Sequence, residues 1–268
     1  MHSFDFSTVK ALFLDLDGVL WNGSEPIGDL KAIFQKITQA GVVPILGTNN
    51  STRTPASYQK KMASFGVQIE QNQIISPAVG AAILFKEKLP ANVKIHVFGS
   101  SALKEYLISA GFILSDESAE IVLVSLDQDM TYKKVETAKR LIDNGAVFYA
   151  TNLDPVLASE RGWLPGGGVM VNAVETCTQQ KPIVIGKPEP LLIQIAQKQM
   201  GIKAAEMVAV GDRYDTDILG GIRAGCRTVM VLSGVDSQET IKIFDRQPDL
   251  VCQNLNEFAD LLLQHKGN

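Results

Sequence analysis

Asp15 and Asp17 follow directly on the apolar run Ala11–Leu14, in the order Asp15-Leu16-Asp17-Gly18. Side chains two apart on an extended chain point the same way, so these carboxylates are neighbours whose repulsion calls for a proton or a cation. If the apolar run is a strand of an open parallel sheet, the pair lies at its C-terminal end, where such sheets bind ligands. Asp and Gly also build plain strand-to-turn connections, so the pair alone does not decide. A calcium loop fits poorly, because it needs an oxygen ligand two residues after Asp17 and then glycine, where this chain has Val19 and Leu20.

Three further clusters share this placement. Gly211-Asp212-Arg213-Tyr214-Asp215-Thr216-Asp217 follows the apolar run Met207–Val210. If the two strands are neighbours, Asp212 and Asp15 can share one hard cation such as Mg²⁺, which takes a few carboxylates and keeps several waters. The competing reading is a helix N-cap, for which Asp and Thr are good residues. Thr48-Asn49-Asn50-Ser51 follows Val43–Leu46, and Gly186-Lys187-Pro188 follows Ile183–Ile185. A hydroxyl, backbone N–H groups and an ammonium suit an oxyanion or phosphoryl group. Taken singly, the first is an ordinary turn and the second a solvated lysine.

The elements that position these clusters follow from periodicity. Short apolar runs are expected as strands at Lys10–Leu14, Val42–Leu46, Val93–Phe98, Ile121–Val124, Ala146–Ala150, Ile183–Ile185, Met207–Val210, Thr228–Leu232 and Leu250–Val251. Leu30, Ile33, Phe34 and Ile37 repeat at helical spacing, as do Leu103, Tyr106, Leu107 and Ala110. Alternation of such runs with helices is the α/β class with parallel strands. Thr54-Pro55 and Lys187-Pro188 each place proline where a helix can begin. Residues 151–168, with Gly162, Pro165 and three successive glycines, are expected to be irregular and exposed.

Composition narrows the partners. The 268 residues carry 25 Lys and Arg against 29 Asp and Glu, so no basic field is available for nucleic acid or an anionic bilayer. A mean hydropathy of +0.09 is that of a folded globular chain. The longest charge-free stretches, Ile37–Thr52 and Gln71–Phe85, are broken by polar residues or proline, and no membrane span is expected. The opening MHSFDFSTVK lacks signal-peptide character, and Cys177, Cys226 and Cys252 are scattered, so a cytoplasmic location is expected.

The ordered set resembles the haloacid dehalogenase superfamily of phosphohydrolases, whose four motifs are matched by DLDGVLW at 15–21, TNNS at 48–51, GKP at 186–188 and GDRYDTD at 211–217. Trp21, the double asparagine and the long insert between the second and third motifs resemble the subfamily with the type IIA cap, which includes NagD-like, 4-nitrophenyl phosphate and pyridoxal phosphate phosphatases. The resemblance implies a Rossmann-like parallel-sheet core from residues 1–77 and 184–268, with an inserted α/β cap domain at 78–183. It also implies hydrolysis of a small phosphorylated metabolite, and it allows a homodimer through the cap.

By the same resemblance, Asp15 attacks phosphorus and Asp17 serves as acid, then base. Mg²⁺ is held by the Asp15 carboxylate, the Asp17 backbone carbonyl and Asp212. Thr48, the Asn49 N–H, Asn50 and Lys187 bind the phosphoryl oxygens, with Asp217 behind them. Asp154, Arg161, Trp163 and Gly166–Gly168 are the cap residues expected near the leaving group, although turn formation and packing also account for them. Two other readings compete. A metal-dependent nucleotide-sugar enzyme could use the DxD pair, leaving Thr48 and Lys187 idle. A non-catalytic module could bind a phosphometabolite without turnover, but every expected catalytic residue is present.

Overall fold

The computed structural model describes residues 4–90, 92–159 and 162–266. Its strands are β1 (Ala11–Leu14), β2 (Trp21–Asn22), β3 (Glu25–Pro26), β4 (Val43–Gly47), β5 (Ile74–Ile75), β6 (Lys94–Phe98), β7 (Ile113–Leu114), β8 (Ile121–Val124), β9 (Val147–Ala150), β10 (Val156–Ser159), β11 (Gly162–Pro165), β12 (Ile183–Val184), β13 (Met207–Gly211), β14 (Arg227–Val231) and β15 (Leu250–Cys252). The chain divides into two compact units. Residues up to Thr48, Pro55–Ile75 and those from Lys187 onward form the first; Asn49–Thr54 and Ser76–Gly186 form the second.

The first unit is a Rossmann-like core around a parallel sheet of order β15-β14-β13-β1-β4-β5. Strands β1 and β13 are buried along their whole length, the condition under which a strand reads as an unbroken apolar run. Leu12, Leu14, Val208 and Val210 share a core with Ile33, Phe34 and Ile37 of the helix Leu30–Gln39 and with Phe258 and Leu262 of the helix Leu255–Lys266. The Asp29 carboxylate starts the former helix by accepting the Ala32 N–H at 3.1 Å. From β1 the chain builds β4 and β5 on one side and returns later to place β13, β14 and β15 on the other. The switch between β1 and β13 therefore opens a crevice at their C-terminal ends.

The second unit is an α/β layer on a parallel sheet of order β12-β9-β8-β6-β7. Phe98, Val122, Val124 and Phe148 pack with Leu141 of the helix Tyr132–Asp143 and Val171 of the helix Gly167–Thr178. Residues 151–168 are not irregular throughout: β10 and β11 form an antiparallel hairpin, with Val156 opposite Pro165 and Leu157 opposite Leu164. Its strands are four residues each and flanked by Pro155 and Gly166, so the apolar runs are too short for a strand period to be read. The helix expected at Pro188 begins instead at Leu191, and the Lys187–Pro188 peptide bond is cis. No helix among the described residues is long and apolar enough to cross a membrane.

Candidate active site

Parallel register brings three of the four motifs to one edge of the first unit. Leu14 pairs with Val210 on one side and Leu46 on the other, and the Asp15 N–H donates to the Val210 carbonyl at 2.9 Å. Asp15, Asp212 and Thr48 thus leave the sheet at neighbouring strand ends. Lys187 meets them there with its side chain 2% exposed. Its ammonium donates to Asp15 Oδ1 at 2.6 Å, Asp217 Oδ1 at 2.7 Å and the Gly47 carbonyl at 2.9 Å, which matches the three donors it carries. Thr48 is buried, and its N–H donates to the Ile75 carbonyl at 3.2 Å.

Asp15, Asp212 and Asp217 each present a carboxylate oxygen, and these oxygens lie within 4.8 Å of one another. Three carboxylates face a single ammonium, so negative charge is in excess in a cluster where Asp212, Asp217 and Lys187 are buried and Asp15 is partly exposed. Burial, together with the charges of Asp217 and Asp212, pushes the Asp15 carboxyl well above the usual carboxylate range against the pull of Lys187. Burial and the Asp217 charge push Asp212 up to about 7, although the Val235 N–H donates to its Oδ2 at 2.8 Å. Burial works against the Lys187 ammonium, but Asp15 and Asp217 outweigh it and hold that group above the ordinary lysine range.

The donor set fits a hard divalent cation. All three ligand groups are carboxylates. The backbone is shaped around one of them: Gly18, at φ +81°, and Gly234 lie against the Asp212 carboxylate, where a Cβ on either would overlap it. Asp217, expected behind the site, is one of the three clustered acids, while the Asp17 carboxylate is not. Asp217 is carried on the turn Tyr214–Ile218, where its Oδ2 accepts the Arg213 N–H at 3.2 Å. Asp215 turns outward to pair with the Arg213 guanidinium at 2.8 Å.

Asp17 has a partner that the reading of spacing alone left out. The Trp21 indole donates from Nε1 to Asp17 Oδ1 at 3.0 Å, and the Gly18 N–H donates to the Trp21 carbonyl at 2.8 Å. Trp21 is 1% exposed, with the Lys61 ammonium 3.8 Å from its ring centroid. Its spacing of four from Asp17 was the available signal, but only the turn between them brings indole to carboxylate.

The remaining candidates belong to the second unit. Asn49 donates from Nδ2 to Asp154 Oδ2 at 3.1 Å. Asn50 Oδ1 accepts the Thr52 N–H at 2.9 Å and the Thr52 hydroxyl at 2.7 Å, so this carboxamide closes its own turn. Trp163 lies on β11, 60% exposed, and Arg161 lies outside the described residues. Gly166 and Gly168 are packed so closely against the Asp154 and Leu153 carbonyls that neither has room for a Cβ, which gives them a packing reason of their own.

The chain is similar to known proteins along most of its length. The haloacid dehalogenase-like hydrolase model matches residues 12–113, and the HAD-hydrolase-like model matches 184–258. An acid sugar phosphatase of Staphylococcus aureus (strain MRSA252) is 33% identical over 249 residues, covering 92% of this chain and 96% of that one. NagD from E. coli K-12 superposes with a TM-score of 0.86 at 30% identity, over 93% of this chain and 98% of that one. A glycerol phosphate phosphatase from Mycobacterium tuberculosis, solved in complex with magnesium, gives 0.87 at 29% identity, over 97% and 80%. With its motifs at these strand ends and its length shared with these proteins, the chain belongs to the haloacid dehalogenase superfamily, in the NagD-like branch with the type IIA cap, and is a phosphoric monoester hydrolase.

Proposed function

We propose that this phosphatase is Mg²⁺-dependent, acts on small sugar-phosphate and polyol-phosphate esters, and works through an aspartyl-phosphate on Asp15. The observation that carries the reading is the buried Lys187 ammonium between Asp15 and Asp217, with the Asp212 carboxylate in the same cluster. An ionised Asp15 is a nucleophile held in place by Lys187, and the ester oxygen leaves as the Asp15–phosphorus bond forms. Asp17 gives its proton to that oxygen and then takes one from the water that cleaves the acyl phosphate. Thr48 and the Asn49 N–H, with Lys187, receive the transferring oxygens. Asp15, Asp212 and the Asp17 carbonyl would hold Mg²⁺, which supplies charge neutralisation for two approaching anions. The substrate class draws its support from the acid sugar phosphatase and glycerol phosphate phosphatase relatives.

Phosphate release from glucose 6-phosphate, glycerol phosphate and 4-nitrophenyl phosphate, followed before and after exhaustive chelation, tests this. Turnover is expected to fall by roughly 10³-fold or more without metal and to return with Mg²⁺. Undiminished release in the chelated protein would remove the metal, and failure on every ester would remove the reading.

Trp21→Phe is expected to separate substrates by leaving group. Without the indole donor, Asp17 loses one of the contacts that orient it, so kcat on alkyl phosphates should fall by about 10- to 100-fold. Hydrolysis of 4-nitrophenyl phosphate, whose leaving group needs little protonation, should change far less. An equal fall on both would assign Trp21 to packing alone.

A further inference from the structure

The segment that follows Thr48 is gripped by the second unit. That unit's sheet reverses its order between β8 and β6, which makes the C-terminal ends of these strands its switch point, the position where open α/β sheets receive ligands. The chain fills the position with itself. Ser51 Oγ lies 2.5 Å from Ser125 Oγ just past β8, and the Thr151 hydroxyl, just past β9, donates to Ser125 Oγ at 3.0 Å. The Ser100 hydroxyl, beyond β6, reaches the Ser51 carbonyl at 3.4 Å. Ser51, Ser125 and Thr151 are all buried, so this polar contact is sealed from water.

Beside it, Asn152 and Asp154 close a clasp on Asn49. Asn152 donates from Nδ2 to the Asn49 carbonyl at 2.8 Å, while its Oδ1 accepts the Asp154 N–H at 3.1 Å. Asp154 Oδ2 accepts the Asn49 carboxamide at 3.1 Å, and the Asp154 carbonyl is itself anchored by the Gly168 N–H at 2.9 Å. Gly186 completes the clasp from the other side, since a Cβ there would lie 2.6 Å from Asn49 Oδ1. Asn49 is thereby fixed at its side chain and its carbonyl together. Holding the side chain and the carbonyl restrains ψ and places the Asn49 nitrogen relative to both, which limits how far its N–H can swing.

We propose that Asn152 and Asp154 are positioning residues that hold the Asn49 peptide in the orientation that binds the transferring phosphoryl group, and are not contacts to the leaving group. This rests on the phosphatase reading above and extends it, because it makes the cap's fixed interior part of the chemical step for every substrate. Donors preorganised for a developing charge lose their value when displaced by an ångström.

The test uses three esters that share a phosphoryl group and differ in leaving group: 4-nitrophenyl phosphate, glucose 6-phosphate and glycerol phosphate. Asn152→Asp, which keeps the shape but loses the donor, and Asp154→Ala are each expected to lower kcat by about 10- to 100-fold, with one common factor on all three esters and little change in KM. Inhibition by orthovanadate, which mimics the five-coordinate phosphorus, should weaken by a similar factor. Asp154→Asn keeps an acceptor for the Asn49 carboxamide and is expected to restore near-wild-type kcat. Losses that differ between esters, or full activity in Asp154→Ala with an unchanged melting temperature, would overturn the assignment while the phosphatase reading stands. Absence of turnover in the wild-type chain would take down both. Should Asn152→Asp fail to fold, the Asp154 pair of variants decides by the same criteria.

Discussion

Asp15→Asn is expected to abolish phosphate release while raising the melting temperature of the magnesium-free protein. Asparagine cannot form the acyl phosphate, so activity should fall by at least about 10⁴-fold, as it does when an enzyme loses its nucleophile. The stability change has a separate cause. Burial and the neighbouring Asp212 and Asp217 hold the Asp15 carboxyl well above its ordinary range, so its charged form opposes folding. Asparagine removes that charge and keeps an oxygen that can accept from Lys187. A carboxyl whose folded pKa is raised binds protons in the folded state that the unfolded chain has released, so its contribution to stability declines as pH rises above about 4. The advantage of the variant should therefore grow from pH 5 to pH 8 in chelator. Phosphate release and thermal melts of one preparation measure both effects. Retained turnover would end the nucleophile assignment, and a large drop in melting temperature would make Asp15 a structural residue.

What the sequence disclosed follows from how each feature is encoded. Asp15, Thr48, Asp212 and Lys187 were legible because each follows a run of apolar residues, and β1, β4 and β13 are apolar throughout for the reason that they are buried on both faces. The motif order then pointed to a known family, and the structure brings the carboxylates and the lysine together. The hairpin of β10 and β11 was not legible, since four-residue strands between proline and glycine offer too short a period to read. Strands β2, β3, β5 and β7, of two residues each, were missed for the same reason. The clasp on Asn49 was invisible in a different way. Asn152 and Asp154 lie more than a hundred residues from Asn49, and nothing local marks which side of Thr48 the chain changes its packing allegiance. Asp154 is expected from the sequence as a cap residue near the leaving group, with turn formation as the competing account, and the structure hydrogen-bonds its carboxylate to Asn49 of the same chain.

Lys187→Met carries the other large effect, and its two consequences have opposite pH signatures from those of Asp15→Asn. The ammonium is the only cation bonded to Asp15 and Asp217 among the described residues, and removing one member of a buried ionic set costs about 3–5 kcal/mol. For a chain of this size that corresponds to a fall in melting temperature of roughly 10 °C. Between pH 5 and pH 8 the lysine itself does not titrate, because its folded pKa lies above the ordinary lysine value and its contribution fades only in strong alkali. The slope in this window comes from the acids. Lys187 pulls both Asp15 and Asp212 downward, so without it they rise further, the folded variant holds more protons, and its stability drops more steeply with pH than the wild type's. The deficit in melting temperature should be largest near pH 8 and shrink toward pH 5, and under the proposed Mg²⁺ dependence added Mg²⁺ should offset part of it. Activity should fall by about 10³-fold or more at every pH, since the variant loses the cationic side chain bonded to Asp15 and proposed to bind the phosphoryl oxygens. Lys187→Arg is not expected to restore it: the ammonium points three donors at three separately placed acceptors, and a planar guanidinium cannot reproduce that geometry in the same buried space. A deficit that grew on acidification, or an arginine variant with full turnover, would mean that the lysine acts only as a distant charge.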